Sequence, residues 1–176
     1  MTDILVIDDE EDVREALERR LQREGYRVST AGSQQEGTAA IAKAGEPFDI
    51  VVTDMLMETA ESGVEIIKAA AERDVFTQVI VLTAYGNVAN AVECMRRGAF
   101  DYVEKNIPGV DVYELLVMKI RQALEHSEEA QAVFRRIQRA TEEIPGAEVA
   151  AKFLSGFFRR GGNGSRGSGP ASGSSR

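Results

Sequence analysis

The chain has 176 residues, 43% hydrophobic and 28% charged, which is the size of one ordinary domain with an appendage and enough apolar matter for a real core. Its 29 acidic against 21 basic side chains, a formal net charge of −8, argue against a dedicated nucleic-acid surface, and one Cys with one His excludes both an intrachain disulfide framework and a Cys/His zinc site. No apolar run approaches the roughly 20 residues of a spanning helix, and Met1-Thr-Asp leads straight into a strand-like run without a signal-peptide pattern, so the expected compartment is the reducing cytoplasm.

Short apolar runs rich in β-branched residues alternate with helix-length segments of three-and-four spacing, the pattern of a parallel sheet covered by helices on both faces. The first strand is expected over 4–8. A helix follows, with Val13, Ala16, Leu17 and Leu21 on one face and Gly25 at its end. Residues 26–30 alternate and read as an edge strand. The next helix runs over 33–44, capped by Ser33 and ended by Gly45. Residues 48–54 form a buried strand, followed by a helix that uses Val64, Ile67 and Ala71. A fourth strand covers 78–83. The helix after Asn87 turns Val88, Ala91, Val92 and Met95 inward and stops at Gly98. A short strand over 101–104 precedes a fifth helix from near Asp111, with Leu115, Leu116, Ile120, Ala123 and Leu124 inward. Five such units predict an α/β fold: a doubly wound, flavodoxin-like, five-stranded parallel sheet of order 2-1-3-4-5, over residues 1–126.

Beyond residue 126 the balance turns basic, and Leu116, Ile120, Ala123, Ala130, Phe134, Ile137 and Ile144 keep near-heptad spacing, interrupted by Ser127 and Thr141. Two arrangements are open: one continuous helical stem, or a short fifth helix followed by an independent one. His126 reads as a solvated residue, and Cys94 as a small helix-packing residue. Pro145-Gly146 breaks the helix, and Ala150, Phe153, Leu154, Phe157 and Phe158 form a last amphipathic patch, giving a helical extension over 127–160. Residues 161–176 hold six Gly and five Ser and are expected to be a disordered tail.

In a doubly wound sheet, side chains at the carboxyl ends of neighbouring strands converge where the strand order reverses. Asp8 and Asp9 end the first strand, Asp54 the third and Thr83 the fourth, and Lys105 follows the fifth. Taken singly, Asp8, Asp9, Glu10, Glu11 and Asp12 also suit a helix N-terminus. Taken together with Asp54, three carboxylates in one pocket repel one another unless a hard cation with oxygen ligands neutralises them, and magnesium suits carboxylates, waters and a phosphate. With that repulsion relieved, Asp54 can attack phosphorus, while Lys105 and the Thr83 hydroxyl stabilise charge on the transferred group.

The segments Ile4-Leu-Val-Ile-Asp-Asp-Glu10, Asp54 with Met57, Val81-Leu-Thr-Ala84 and Phe100-Asp-Tyr-Val-Glu-Lys105 resemble bacterial two-component response-regulator receiver domains, CheY-like and closest in look to nitrogen-regulator-type receivers. The resemblance spans about residues 2–126. It implies a phosphoprotein in which Asp54 accepts a phosphoryl group from a histidine kinase or phosphotransfer protein. It further implies magnesium on Asp8, Asp9, Asp54 and the Leu56 backbone carbonyl, a Thr83 and Tyr102 switch pair, and Lys105 on a phosphoryl oxygen. Signalling then passes through a changed surface to a downstream protein partner, with a homodimer left open, no external substrate turned over and no DNA-binding domain expected in the last 50 residues.

Departures from the family pattern stand beside the matches. Glu58 replaces a usual proline, Glu61 adds acidity, Gly63 sits one residue late, and Asn106-Ile107 separates Lys105 from Pro108, where receivers usually place a cis proline. Leu56 and Tyr85 take the positions flanking the water that attacks the aspartyl phosphate, and neither orients water well, so self-dephosphorylation is expected to be slow. Two alternatives remain. One is a receiver-fold module that signals without phosphorylation, suggested by the altered Glu58 and Asn106 loops. The other is a haloacid-dehalogenase-like phosphohydrolase, whose Asp-x-Asp strand end fits Asp8-Asp9-Glu10 poorly.

Overall fold

A computed structural model describes residues 1–57, 62–84 and 86–142. In chain order the elements are β1 (Asp3–Ile7), α1 (Glu11–Arg23), β2 (Arg27–Ala31), α2 (Gln34–Lys43), β3 (Ile50–Thr53), α3 (Ser62–Arg73), β4 (Gln78–Thr83), α4 (Val88–Arg97), β5 (Asp101–Glu104) and α5 (Val112–Glu142). The strands form one parallel sheet in the order β2-β1-β3-β4-β5, as the alternation predicts. Successive residues of a strand point to opposite faces. Ile4, Val6, Ile50, Val52, Ile80 and Leu82 therefore bury under α1 and α5 with Leu17, Leu21, Leu116 and Ile120. Leu5, Ile7, Val51, Val79 and Val81 bury under α2, α3 and α4 with Ile41, Ile66, Ile67 and Cys94. Coverage on both faces is why the three central strands read as unbroken apolar runs.

Strand ends differ from the expectation by a residue or two. The Tyr26 N–H is taken by the Leu21 carbonyl (3.2 Å) at the end of α1, so β2 starts at Arg27 rather than Tyr26. β3 is trimmed to Ile50–Thr53, although Asp54 N–H still donates to Ile7 carbonyl (2.9 Å) and holds that strand end against β1. Ser33 caps α2 through the Glu36 N–H, as expected, but the helix stops through extended Ala44 and not through a left-handed Gly45. Gly98 does close α4, at φ 101°, a conformation that favours glycine.

Two inward faces are corrected. In α3, Ile66, Ile67 and Ala70 are buried while Ala71 is exposed. In α4, Cys94 alone is fully buried, and Val88, Val92 and Met95 face outward. This short helix packs on α3 and β5 at the sheet edge, with Cys94 buried and the larger apolar residues exposed.

α5 begins where Asp111 Oδ1 accepts the Tyr113 and Glu114 N–H groups (2.9 and 3.2 Å) and then runs unbroken to Glu142, a length of about 46 Å. The continuous arrangement is the one found, as far as residue 142. Ser127 does not interrupt it. Its side chain is 7% exposed, and its hydroxyl donates to the Phe76 carbonyl (2.9 Å), while Phe134 sets its ring 5.7 Å from that of Phe76. His126 is exposed, with its ring 5.6 Å from that of Phe100. Ile144, the 150–158 patch and the 161–176 tail lie outside the described residues. Among the described residues, no helix is long and apolar enough to cross a membrane.

Candidate functional site

Asp8 follows β1, Asp54 follows β3, Thr83 ends β4 and Lys105 follows β5, so one edge of the sheet carries all four. The Lys105 N–H donates to the Thr83 carbonyl (2.7 Å), which fixes the exit of β5 beside β4 and aims the lysine across the strand ends. Its ammonium lies 2.7 Å from Asp8 Oδ2, 3.2 Å from Asp54 Oδ2 and 3.3 Å from Glu10 Oε1. No cis peptide bond occurs among the described residues, so Lys105 reaches this position through a trans link to Asn106.

Burial sets the electrostatics. The side chain of Asp8 is 2% exposed and that of Lys105 is 9% exposed. Desolvation pushes the Asp8 carboxyl above its ordinary range, against the pull of the Lys105 hydrogen bond and charge. Desolvation draws Lys105 down, but the hydrogen bond and charge of Asp8, with those of Asp54, outweigh it and leave the ammonium above its ordinary value. One cation among three carboxylates leaves the pocket negative.

Asp8, Glu10 and Asp54 bring carboxylate oxygens within 4.8 Å of one another, a donor set of the hard oxygen type that a small divalent cation takes. Asp9 is exposed and is not one of that group. Glu10 joins Asp8 and Asp54 there. The turn responsible is local: Asp8 Oδ1 accepts the Glu10 N–H (3.0 Å) and Arg14 Nη1 donates to the Asp8 carbonyl (2.7 Å). The sequence reading treated Glu10 as a helix-start acid and did not single out Arg14. The signal was the third acid of the Asp8-Asp9-Glu10 run.

Leu56 donates its N–H to Asp54 Oδ1 (3.2 Å), which orients the carboxylate. Gly63 lets α3 start directly behind it, since a Cβ there would lie 2.9 Å from Met55 Cα and 3.1 Å from the Asp54 carbonyl oxygen. Thr83 is fully buried. The Tyr102 ring packs against the Cys94 side of the sheet, and its hydroxyl is buried with no hydrogen-bond partner in good geometry among the described residues. Burial raises its pKa, and the nearby Asn87 backbone opposes this only in part. Glu58, Glu61 and Tyr85 lie outside the described residues.

Known proteins share this sequence pattern and fold. Residues 4–118 match the family described as the response regulator receiver domain. The chain belongs to that family. The response regulator protein PilR of Pseudomonas aeruginosa is 33% identical over 126 residues, 72% of this chain and 28% of PilR. The receiver domain of NtrC4, solved as a beryllofluoride-activated dimer, is 31% identical at a TM-score of 0.62, over 72% of this chain and 99% of that one. That neighbour agrees with the nitrogen-regulator look of the motifs. The response regulator TrrA of Thermotoga maritima, solved with magnesium and beryllofluoride, is 28% identical at a TM-score of 0.59, over 70% of this chain and 100% of that one. Receiver domains bind magnesium at an acidic pocket, and this chain has one. The chain spans about a quarter of the length of PilR.

Proposed function

We propose that residues 1–126 are the phosphoacceptor receiver of a two-component or phosphorelay system, and that Asp54 accepts the phosphoryl group. The observation that carries this reading is the sharing of Lys105 Nζ by Asp8 and Asp54 at 2.7 and 3.2 Å, at the carboxyl edge of the sheet. An Asp54 oxygen forms a bond to phosphorus as the bond from phosphorus to the donor breaks, and the donor leaves with that electron pair. The donor is a histidine kinase, a phosphotransfer protein or a small acyl phosphate. Asp8, Asp9 and Asp54, with the Leu56 carbonyl, would hold magnesium, whose charge lowers repulsion between the carboxylates and the incoming phosphoryl oxygens. Lys105 moves its hydrogen bond from Asp54 to a phosphoryl oxygen, and Thr83 donates its hydroxyl to another.

Tyr102 supplies the link to the surface. Its buried hydroxyl, without a well-aligned partner among the described residues, gains from an arrangement that gives it one, so a small shift of Thr83 can bias the ring. Behind it a groove of about 300 Å³ is lined by residues that include Asn87, the outward Val88, Ala91, Tyr102, Ile107 and Leu115. This face, with the extension of α5, is the contact for a downstream protein or a second copy. The protein works in the cytoplasm, where kinases and acyl phosphates reach it, and turns over no external substrate.

Incubation with acetyl phosphate and magnesium tests the assignment. Wild type takes up phosphate that base releases, and Asp54→Ala does not. Equal uptake by both overturns it.

A further inference from the structure

An ammonium group has three N–H donors, and Lys105 has three carboxylates around it: Asp8 at 2.7 Å, Asp54 at 3.2 Å and Glu10 at 3.3 Å. The group is saturated. A phosphoryl oxygen arriving on Asp54 gains the lysine only if one of these partners gives it up. Asp54 becomes the ester and retires one contact, while the other two compete with the newcomer.

The competitors are unequal. Asp8 is 2% exposed, so leaving its carboxylate without the lysine costs heavily in desolvation. Glu10 is 59% exposed and can exchange the ammonium for water at little cost. It also has room to withdraw, because Glu10, Lys105 and Asn106 line a cavity of about 250 Å³ with Val13 and Leu17. Its carboxylate adds a second effect of the same sign, since it stands within 4.8 Å of the Asp54 and Asp8 oxygens and repels a dianionic phosphoryl group.

We propose that Glu10 is a positioning residue that restrains Lys105 in the unphosphorylated protein and slows phosphorylation of Asp54, by holding the ammonium toward itself and by repelling the incoming phosphoryl group. Glu10 acts as a brake on the receiver. The proposal rests on Asp54 being the acceptor, and it deepens that reading by assigning a side chain the family resemblance left without a role.

The test uses the full chain and acetyl phosphate, whose phosphorus–oxygen bond breaks to release acetate as the Asp54 ester forms. At saturating magnesium, Glu10→Gln and Glu10→Ala raise the maximal phosphorylation rate about three- to tenfold, a modest factor because the group is exposed and screened. The half-saturating magnesium concentration changes less than twofold. The advantage of Glu10→Gln over wild type shrinks toward unity in high salt, a dependence that a purely structural role would not show. An unchanged or slower rate overturns the proposal. So does a large rise in the magnesium requirement without acceleration, which would make Glu10 a metal ligand instead. If wild type takes up no phosphate, or Asp54→Ala takes up as much, the acceptor assignment itself fails, an outcome separate from a null effect at Glu10.

Discussion

Lys105 Nζ lies 2.7 Å from Asp8 Oδ2, joining residues 97 positions apart in the chain and closing β5 over the end of β1. The pair is nearly dry, yet it does not stand alone, because Asp54 and Glu10 share the same ammonium. Removing the cation leaves buried carboxylates facing one another. Lys105→Ala should therefore lose about 3 kcal/mol of stability in urea unfolding without divalent cation, from the uncompensated charge. Magnesium should restore part of it, by supplying positive charge to the same oxygens. A loss that magnesium leaves untouched would show that the lysine stabilises by packing rather than by charge.

Magnesium should also stabilise wild type, by about 2.7 kcal/mol at a concentration one hundred times its dissociation constant. Asp54→Asn and Asp8→Asn should lose most of that increment while folding normally. Thermal unfolding with magnesium, and with potassium at matched ionic strength, checks this. Equal stabilisation of all three proteins would place the ion elsewhere.

Cys94 gives a pH dependence with a definite sign. The thiol is buried beside Met55 Sδ (3.3 Å), and desolvation raises its pKa above the ordinary value of 9.0. In the unfolded chain the thiol ionises above that value while the native one stays protonated. This group's contribution is thus present below pH 9.0 and lost as the pH rises above it. Cys94→Ala should show a shallower loss of stability in that alkaline range than wild type. In native protein at neutral pH, a thiol reagent should react only as fast as the protein opens.

The α5 extension makes a local prediction. Phe134→Ala removes the ring contact with Phe76, worth about 1 kcal/mol, and Ser127→Ala removes the hydrogen bond to the Phe76 carbonyl. Amide exchange across 128–142 should accelerate in both variants while the amides of β1, β3 and β4 keep their protection. Uniform acceleration would mean that the extension and the sheet unfold as one unit.

How much of this was legible in the sequence follows from what each contact depends on. The central strands could be read because burial on both faces leaves an unbroken apolar run, and Gln78–Thr83 and Asp101–Glu104 come out residue for residue. β2 slipped by one because a tertiary choice, the Leu21 carbonyl taking Tyr26 N–H, decides its start. For α4 the pattern shows a stripe but not which side meets the sheet, and the side that does carries Cys94 rather than Val88 and Met95. Ser127 looked like a break because its partner, the Phe76 carbonyl, is 51 residues away. At the site, Asp8, Asp54 and Lys105 were readable from strand ends. The place of Glu10 was not, since it hangs on a two-residue turn around Asp8.

Leu56 sits beside Asp54 with an apolar side chain that cannot orient water. The phosphorylated protein should decay slowly in magnesium, and Leu56→Asn, which offers hydrogen bonds there, should decay severalfold faster. Time courses after removal of acetyl phosphate measure both. Loss of the wild-type phosphate within seconds would contradict the role given to Leu56.

Chemical trapping of the acyl phosphate bears most directly on the acidic pocket. Borohydride reduces an aspartyl phosphate to homoserine, and peptide mapping by mass spectrometry then locates it. After treatment with acetyl phosphate and magnesium, homoserine should occur at position 54 alone and should vanish when magnesium is chelated beforehand. Homoserine at Asp8 or Asp9, or none anywhere while phosphate is bound, would contradict Asp54 as the acceptor.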